Sequence, residues 1–435
     1  MKLKPVVASL VVLGLMTPAF AHNAKSVVAQ QAVIDQNAVV NTVCSEGWFN
    51  RITIGGMGSV VGIAGNTDHP GAFVQNSGGS DMFVNNVNLL ANADLSKWSK
   101  VTLNLAYLGA PSQWTMQNNV AVTQGHQTTN KIFADEAYVT FADLSKSMFY
   151  LKVGKTYVPF GDYSDQYVPW QIESPAQMLS QTNGPTAILG LASDFGFYAS
   201  IFALKGETRP IGANTNAIRN FGGKIGYQDN LSRFESPNTK VNVNLSYIRN
   251  VWDSVWFTPN TSAPQDGLST ALPKRDQVGG LSVHLDLSHK DFSAFADWTG
   301  ALKNLSSSYD GATSYGKSSK FWGANINAAY AFETLNHDSS LGVGYQFSGN
   351  GDWFAEGTQT PAGGAAGSII KNNTGTAGVG LFSLVTPKWR ALAEYKVNLC
   401  KHTDLGLVYA HSKSYDISSE ARSTNVGFAR LAVRF

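Results

Sequence analysis

The chain has 435 residues, of which 43% are hydrophobic, 11% aromatic and only 14% charged, and its formal net charge is +2 with histidine neutral. This near-neutral charge, without a dense Lys/Arg cluster, excludes the electrostatic footprint of a nucleic-acid-binding protein. Beyond the N-terminal residues no run of 18 apolar residues occurs, which excludes a helical membrane protein, and the 42 glycines favour many strands joined by turns.

Residues 1–21 are predicted to be a secretory signal peptide. A basic start precedes an apolar stretch from 6 to 15, and Ala19-Phe20-Ala21 forms a small-x-small cleavage site. The alternative is an uncleaved membrane helix. That reading is disfavoured because the apolar stretch is shorter than the roughly 20 residues a spanning helix needs, and because Pro18 interrupts its end.

Residues 22–47 are predicted to form a short periplasmic N-terminal segment. Apolar doublets recur in it every six residues, a spacing that fits no heptad. Two interpretations stay open: a short helix that self-associates, and a flexible leader that is fixed only at its end.

From residue 48 to 435 the chain alternates apolar with small or polar side chains, the period-two pattern of a sheet whose two faces meet different media. Leu281, Val283 and Leu285 alternate with Ser282, His284 and Asp286, so charged groups are predicted to face inward. A soluble β-sandwich has the same period, so a single strand does not separate the two architectures. The spacing of the connections does.

Short and long connections alternate along the whole predicted sheet. Seven short polar turns lie near 96–99, 143–147, 193–195, 229–238, 288–290, 333–339 and 400–404. Eight longer stretches lie near 63–80, 109–131, 157–185, 207–217, 251–276, 303–319, 350–388 and 412–422. Tight periplasmic turns and long outer loops are typical of outer-membrane barrels, so the sequence predicts an all-β transmembrane antiparallel barrel of about 16 strands. The strand-like stretch 374–388 is assigned to a loop, and 14 or 18 strands stay possible.

The last strand is predicted to carry an outer-membrane assembly signal. Leu431, Val433 and Phe435 alternate with Arg430, Ala432 and Arg434, and the chain ends on the aromatic residue. The alternative is an ordinary edge strand that happens to finish on Phe. The combination of this ending with the signal peptide and the loop alternation favours the cell outer membrane, with its lipid and the barrel-assembly machinery as partners.

Cys44 and Cys400 are the two cysteines of the chain. The oxidising periplasm favours a disulfide between them, and the predicted topology places both at the periplasmic rim. The alternative is two free thiols held apart by roughly two strand spacings of about 4.8 Å.

The densest candidate ligand platform begins where the fifth strand ends. Its residues are Lys155, Tyr157, Phe160, Asp162, Tyr163 and Trp170, within the long loop 157–185. Proline limits the chain entropy there and aromatic rings offer flat contact area, so the loop could fold towards the pore. The alternative is an aromatic girdle followed by a rigid loop. The charges predicted at the pore wall or mouth are Lys152, Lys155, Arg249, Asp286 and Asp297.

No catalytic or metal-binding motif is found. The eight histidines lack HExxH and Cys-His spacings, and His411 and Ser412 are adjacent strand residues that face opposite sides. The sequence therefore predicts no enzyme, metal or cofactor.

The stretch Val153-Gly154-Lys155-Thr156-Tyr157-Val158-Pro159-Phe160-Gly161, the Ala-Glu-Tyr run from 393 to 395 and the short apolar leader resemble the legiobactin-receptor type of siderophore porin. The resemblance implies uptake of a ferric siderophore by a barrel without a plug. The 26 residues before the first strand are independently too few for a globular plug. Transport would then be facilitated diffusion.

Two other functions stay open at this stage. One is a general solute porin, and the other is a surface adhesin or structural barrel whose long loops bind neighbouring cells and whose lumen is closed. The sequence predicts neither the solute nor the oligomeric state.

Overall fold

The fold is a closed antiparallel β-barrel. The computed structural model describes residues 52–67, 79–108, 132–162, 174–193, 195–206, 209–210, 218–229, 238–254, 274–275, 277–304, 307–308, 320–350, 387–413 and 423–435. The predicted signal peptide, the segment 22–47 and the strand-like stretch 374–386 lie outside these residues.

Sixteen long strands make the barrel. They are β1 (Ile52–Thr67), β2 (Gly79–Ser96), β3 (Ser99–Leu108), β4 (Ile132–Ala142), β5 (Phe149–Tyr157), β6 (Asn183–Ala192), β7 (Phe197–Leu204), β9 (Asn220–Asp229), β10 (Thr239–Ile248), β12 (Gly280–His289), β13 (Phe292–Ala301), β15 (Trp322–Thr334), β16 (His337–Gly349), β17 (Trp389–Cys400), β18 (Thr403–Lys413) and β19 (Ser423–Arg434). A separate small sheet joins three of the longer connections through β8 (Arg209–Pro210), β11 (Lys274–Arg275) and β14 (Ser307–Ser308). One helix, α1 (Pro175–Ser180), and a single 3-10 turn at Val251–Asp253 complete the described elements.

Each barrel strand pairs with its predecessor in the chain, and β1 pairs with β19 to close the circle. The predicted sixteen strands are confirmed, and the connections fall in the predicted alternating order. The tight turns have the backbone that short hairpins require. Leu335 and Asn336, between β15 and β16, both have positive φ angles, of 51° and 61°. Such a two-residue turn matches the right-handed twist of the flanking strands.

The final residue completes the seam. Phe435 and Gly56 exchange two backbone hydrogen bonds of 3.0 and 3.1 Å. A Cβ on Gly56 would lie 2.5 Å from the Phe435 ring, so the absence of a side chain at 56 makes room for the terminal aromatic. Leu431, Val433 and Phe435 all point outward and are exposed, as their alternation predicts.

The two faces of the barrel meet different media. Outward side chains such as Ile225, Leu245 and Val343 are exposed, whereas inward ones such as Asn104 and Thr299 are buried. An apolar exterior around a polar interior is the reverse of a soluble domain and the pattern of a barrel in lipid. Among the described residues, no helix is long and apolar enough to cross a membrane.

Aromatic side chains border the apolar exterior at both ends. At the outer edge Trp322 and Phe347 lie 5.7 Å apart between ring centroids, and at the periplasmic edge Tyr330 stacks on Phe332 at 6.3 Å. Phe332 lies ten positions after Trp322 along β15. At about 3.3 Å per residue along a strand tilted by roughly 40°, this spans about 25 Å, the height of an outer-membrane apolar band. The barrel is therefore an outer-membrane protein.

Among the described residues, two large apolar clusters lie inside the barrel. The first packs between the loop that joins β5 to β6, which contributes Phe160 and Leu179, and the wall beside it, near Ile248 and Phe321. The second follows the inner wall from β13 round to β1 and includes Phe295, Leu392 and Phe428. Within the described residues, the interior is narrowed by this loop and not by a globular plug domain.

Candidate functional site: a charged constriction beneath an inward loop

The connection between β5 and β6, residues 158–182, turns into the barrel; we call it loop L3, and its residues 158–162 and 174–182 are described. The amide of Val158 donates to the carbonyl of Thr182 at 3.0 Å, which closes the base of the loop. The amide of Gly161 then donates to the hydroxyl of Ser246 on β10 at 2.8 Å. Because β10 is the fourth strand round from β5, this bond requires the loop to run across the inside of the barrel.

Gly161 is needed where the two arms of L3 meet. Its φ angle is +75°, and a Cβ there would lie 2.3 Å from the Cβ of Ser180. Glycine adopts this left-handed conformation without the steric penalty that other residues incur. The arms of the loop are thereby held against each other.

The short helix α1 forms the returning arm. Ser174 and Gln177 make a capping box, and Pro175 at the first helical position provides a preset φ angle. All six residues of the helix are buried. The hydroxyl of Ser254 donates to the carbonyl of Met178, so the connection after β10 also holds this arm in place.

Asp162, the last described residue of the outgoing arm of L3, lies in a charged cluster with Lys224, His284 and Asp297, which we call the L3 cluster. Asp162 Oδ2 lies 3.7 Å from Lys224 Nζ on β9 and 3.7 Å from His284 Nε2 on β12. His284 Nδ1 in turn lies 3.8 Å from Asp297 Oδ1 on β13. Lys224 also donates to the carbonyl of Gly161 at 3.1 Å. The loop is therefore joined to the wall by charge as well as by backbone contacts.

A second polar group lines the wall beside β5. Lys152 is buried and its ammonium lies 4.4 Å from the centroid of the Tyr138 ring. The hydroxyl of Thr156 donates to Glu136 at 2.6 Å, and the hydroxyl of Tyr157 donates to Asp135 at 3.0 Å. These contacts fix the end of β5 from which L3 departs.

Across the lumen, the inner wall of β17 to β19 is rich in cations, and those around Asp404 form what we call the Asp404 cluster. Asp404 is approached by Arg434 at 3.0 Å, Arg430 at 3.4 Å and Lys396 at 3.9 Å. Nearer the outer end, Arg390 donates to Gln346 at 2.9 Å. Since Asp404 and Lys396 lie near the tight turn at 401–402, the Asp404 cluster lies in the periplasmic half of the lumen.

The predicted site residues divide into three groups. Lys152, Asp162, Asp286 and Asp297 face the interior, and Tyr157 and Phe160 are buried at the base of L3. Tyr163 and Trp170 lie outside the described residues, as does Cys44, so the predicted disulfide with Cys400 stays a prediction.

Two predicted pore charges do not line the lumen. Lys155 alternates with Lys152 and Thr156, points outward, and donates to the carbonyl of Ala134 at 2.6 Å. Arg249 is exposed and lies 5.0 Å from the centroid of the outward Phe221 ring. Both predictions are corrected for the same reason, because neighbouring positions on a strand face opposite sides.

Several interior charges were not predicted as site residues: Glu136, Lys224, His284, Arg390, Glu394, Lys396, Asp404, Arg430 and Arg434. The alternation in β12 already indicates that His284 faces inward. For Lys224 the signal is weak, because Gly222, Gly223 and Gly226 leave β9 without a clear apolar face. Within the part of the chain that is described, no group of three or more His, Cys, Asp or Glu side chains is arranged to hold a metal ion.

Comparison with known proteins gives distant relatives and a shared fold. No family model matches the chain. It is 23% identical over 299 residues to a UPF0422 protein of Coxiella burnetii, covering 68% of this chain and 54% of that protein. It is 22% identical over 318 residues to a UPF0422 protein of Legionella pneumophila strain Lens, covering 71% and 52%. The chain thus spans about half the length of the curated relatives it matches.

Two solved structures share the architecture. The outer membrane channel DcaP of Acinetobacter baumannii aligns with a TM-score of 0.54 at 12% identity, over 88% of this chain and 97% of that one. OprB of Pseudomonas putida aligns with a TM-score of 0.53 at 12% identity, over 94% and 96%. The siderophore specificity that the sequence resemblance implies appears in none of these names and stays a prediction. What these comparisons establish is the fold, a barrel of the kind found in outer-membrane channels.

Proposed function

We propose that this protein is an outer-membrane diffusion channel whose constriction is formed by loop L3. The observation that carries the proposal is the course of L3, which crosses the interior and places Asp162 beside Lys224 and His284. A polar lumen narrowed by a charged loop selects solutes by size and charge instead of by a tight complex. DcaP, which shares the fold, is named a channel.

The two sides of the lumen carry opposite excess charge, which favours a polar solute over an apolar one. Near His284, on the wall from β9 to β13 and on Asp162 of the loop, the inward charges are three carboxylates and two lysines, an acidic excess of one with histidine neutral: Asp162, Asp286, Asp297, Lys224 and Lys240. The inner wall of β17 to β19 has four cations and two carboxylates, a basic excess of two: Arg390, Lys396, Arg430, Arg434, Glu394 and Asp404. A solute with separated acidic and basic groups is complementary to both sides.

We propose further that the solute is a ferric siderophore. The nine-residue stretch 153–161, which carries the resemblance to siderophore porins, is the stretch that leads from β5 into the constriction. A general solute porin is the alternative within the same fold. An adhesin with a closed lumen is the alternative of another class.

Two measurements separate these functions. Purified protein in planar bilayers and liposomes is expected to conduct ions, and a deletion strain is expected to grow poorly on its own siderophore under iron limitation. Free passage of small sugars with normal growth of the deletion strain would contradict the siderophore and leave the general porin. Zero conductance from a folded barrel would contradict the channel itself.

Asp162→Asn tests whether L3 is the constriction. Removing one negative charge from the L3 cluster is expected to shift the reversal potential in a salt gradient towards anions, because the local field becomes more positive. Asp143→Asn is the matched control, since Asp143 lies in the exposed periplasmic turn and pairs with Lys146 at 3.3 Å. Equal reversal potentials for the Asp162 variant and the wild type would show that L3 does not set ion selectivity.

A further inference from the structure

His284 is buried between loop L3 and the barrel wall. Only 1% of its side chain is exposed, and its two ring nitrogens face different carboxylates. Nε2 lies 3.7 Å from Asp162 of the loop, and Nδ1 lies 3.8 Å from Asp297 of the neighbouring strand. The Phe295 ring lies 6.1 Å from the imidazole between centroids, at an interplanar angle of 32°.

The charges that face His284 balance only when its ring is protonated. Asp162 of the loop, Lys224 of β9 and Asp297 of β13 act on the ring directly, and Asp286 of β12 lies beside it and is paired with Lys240 of β10. Asp162, Asp297 and Lys224 together leave one negative charge, which an imidazolium neutralises, while Asp286 and Lys240 balance each other. In a buried site an unbalanced charge is costly, since little water is present to screen it.

A neutral imidazole cannot hold both carboxylates. It carries one N–H, so one nitrogen donates while the other is an acceptor that repels a carboxylate oxygen. A protonated ring donates from both nitrogens and links Asp162 of the loop to Asp297 of the wall.

We propose that His284 is a positioning residue that latches loop L3 to the wall, and that uptake of a proton by its ring tightens the latch. The proposal deepens the proposed function, because L3 is taken to be the constriction of the channel. The stabilisation of the docked loop is present at acidic pH and is lost as pH rises through the range where the ring loses its proton. The bond between Gly161 and Ser246 does not titrate, so the loop remains inside the barrel at either pH.

The test follows the exposure of the loop directly, through a single cysteine at Ser180 on the arm that meets Gly161. Cys44 and Cys400 are first replaced by serine, and a small thiol reagent is added to the folded barrel in vesicles. The rate at which the thiol at position 180 reacts is compared between the protein with His284 and the His284→Gln variant, both in this background, at about pH 5 and about pH 8. Comparison at equal pH cancels the intrinsic pH dependence of the thiol reaction.

At the acidic pH, the thiol is expected to react about fivefold more slowly in the protein with His284 than in the His284→Gln variant. At the alkaline pH the two proteins are expected to react at equal rates. His411→Gln is the matched control, because His411 faces outward at the outer rim and bonds Asn425 at 2.7 Å. The His411→Gln variant is expected to react with the thiol reagent at the same rate as the protein that retains both histidines, at either pH. Heat-dependent gel mobility verifies that every variant has folded.

A ratio between the two variants that is the same at both pH values would overturn the proposal, since a packing role alone does not depend on protonation. Single-channel recordings add a second readout, in which closures of the wild type are expected to become more frequent as pH rises while those of His284→Gln stay constant. Absence of conductance in all variants would contradict the proposed channel, whereas the thiol measurement would still decide whether the latch exists.

Discussion

Gly323 on β15 lies directly against the backbone of helix α1. A Cβ at this position would lie 2.4 Å from the carbonyl carbon of Pro175 and 2.5 Å from the amide nitrogen of Ala176. Both are backbone atoms of the helix, so they cannot yield as the tip of a side chain can. We expect Gly323→Ala to displace α1, to lower the free energy of unfolding by roughly 1–3 kcal/mol and to make the single-channel current noisier.

Gly406→Ala on β18 is the control for this prediction. It is also an inward glycine, but the nearest atom to its added Cβ is Glu394 Oε1 at 3.4 Å, which is ordinary van der Waals contact. Denaturant unfolding monitored by gel mobility measures stability, and bilayer recording measures noise. A Gly323 variant as stable and as quiet as the Gly406 variant would show that α1 tolerates a larger separation from the wall.

Single residues also mark the limit of sequence interpretation. Alternation orients Asp286 and Asp297 correctly, because clear apolar positions flank them in β12 and β13. It could not orient both Lys152 and Lys155, which are three positions apart on β5 and so face opposite sides. The salt bridge between Asp162 and Lys224 joins residues 62 positions apart in the chain, a proximity that no local pattern encodes.

At the scale of the element, the closing strand β19 is fixed to β1 by its last residue. Deleting Phe435 removes two backbone hydrogen bonds to Gly56 and the ring that covers this glycine, whereas Phe435→Ala removes the ring alone. We expect both variants to refold into lipid vesicles in lower yield than the wild type, with the deletion the more severe. The refolded fraction is measured by heat-dependent gel mobility, without any assembly factor.

Val433→Ala serves as the comparison for the seam, because it shortens an outward side chain of the same strand and leaves the backbone pairing with Gly58 possible. A deletion variant that refolds as completely as this control would show that the seam closes without its last residue. Recognition of the C-terminal residues by the assembly machinery is a separate prediction, which needs experiments in cells.

Elements were predictable where their cause is local. Strands follow from period-two alternation and tight turns from polar residues between them, so the order of short and long connections is confirmed along the described barrel. The inward course of L3 was left open beside a rigid outer loop. Its direction depends on Ser246, Ser254 and Gly323, which lie on other parts of the chain and become neighbours only once the barrel closes.

At the scale of the whole molecule, the first strand begins and the last strand ends at the same rim of the barrel, the periplasmic one. Cys400 ends β17 and is exposed there, three strands round from the start of β1 at Ile52. Cys400 is level in the strand register with Gly58 of β1, three strand spacings or about 14 Å away. Ile52 lies six residues further along β1, so the span from Ile52 to Cys400 is about 24 Å, and the eight residue steps from Cys44 to Ile52 can extend over about 26 Å. The disulfide would thus require a nearly extended segment between Cys44 and Ile52, and it stays a prediction.

The disulfide would close a loop that contains nearly the entire barrel. In the chain-entropy description, a cross-link over so many residues stabilises the folded state by up to about 5 kcal/mol, less whatever the seam between β1 and β19 already contributes. We expect unreduced protein to yield a Cys44–Cys400 peptide in mass spectrometry and to unfold at a lower temperature after reduction. Cys400→Ser should unfold at that lower temperature with or without reductant, because it lacks the bridge in both conditions. Labelling of both thiols in unreduced, folded protein would contradict the bridge and leave the N-terminal segment joined to the barrel only through the backbone before β1.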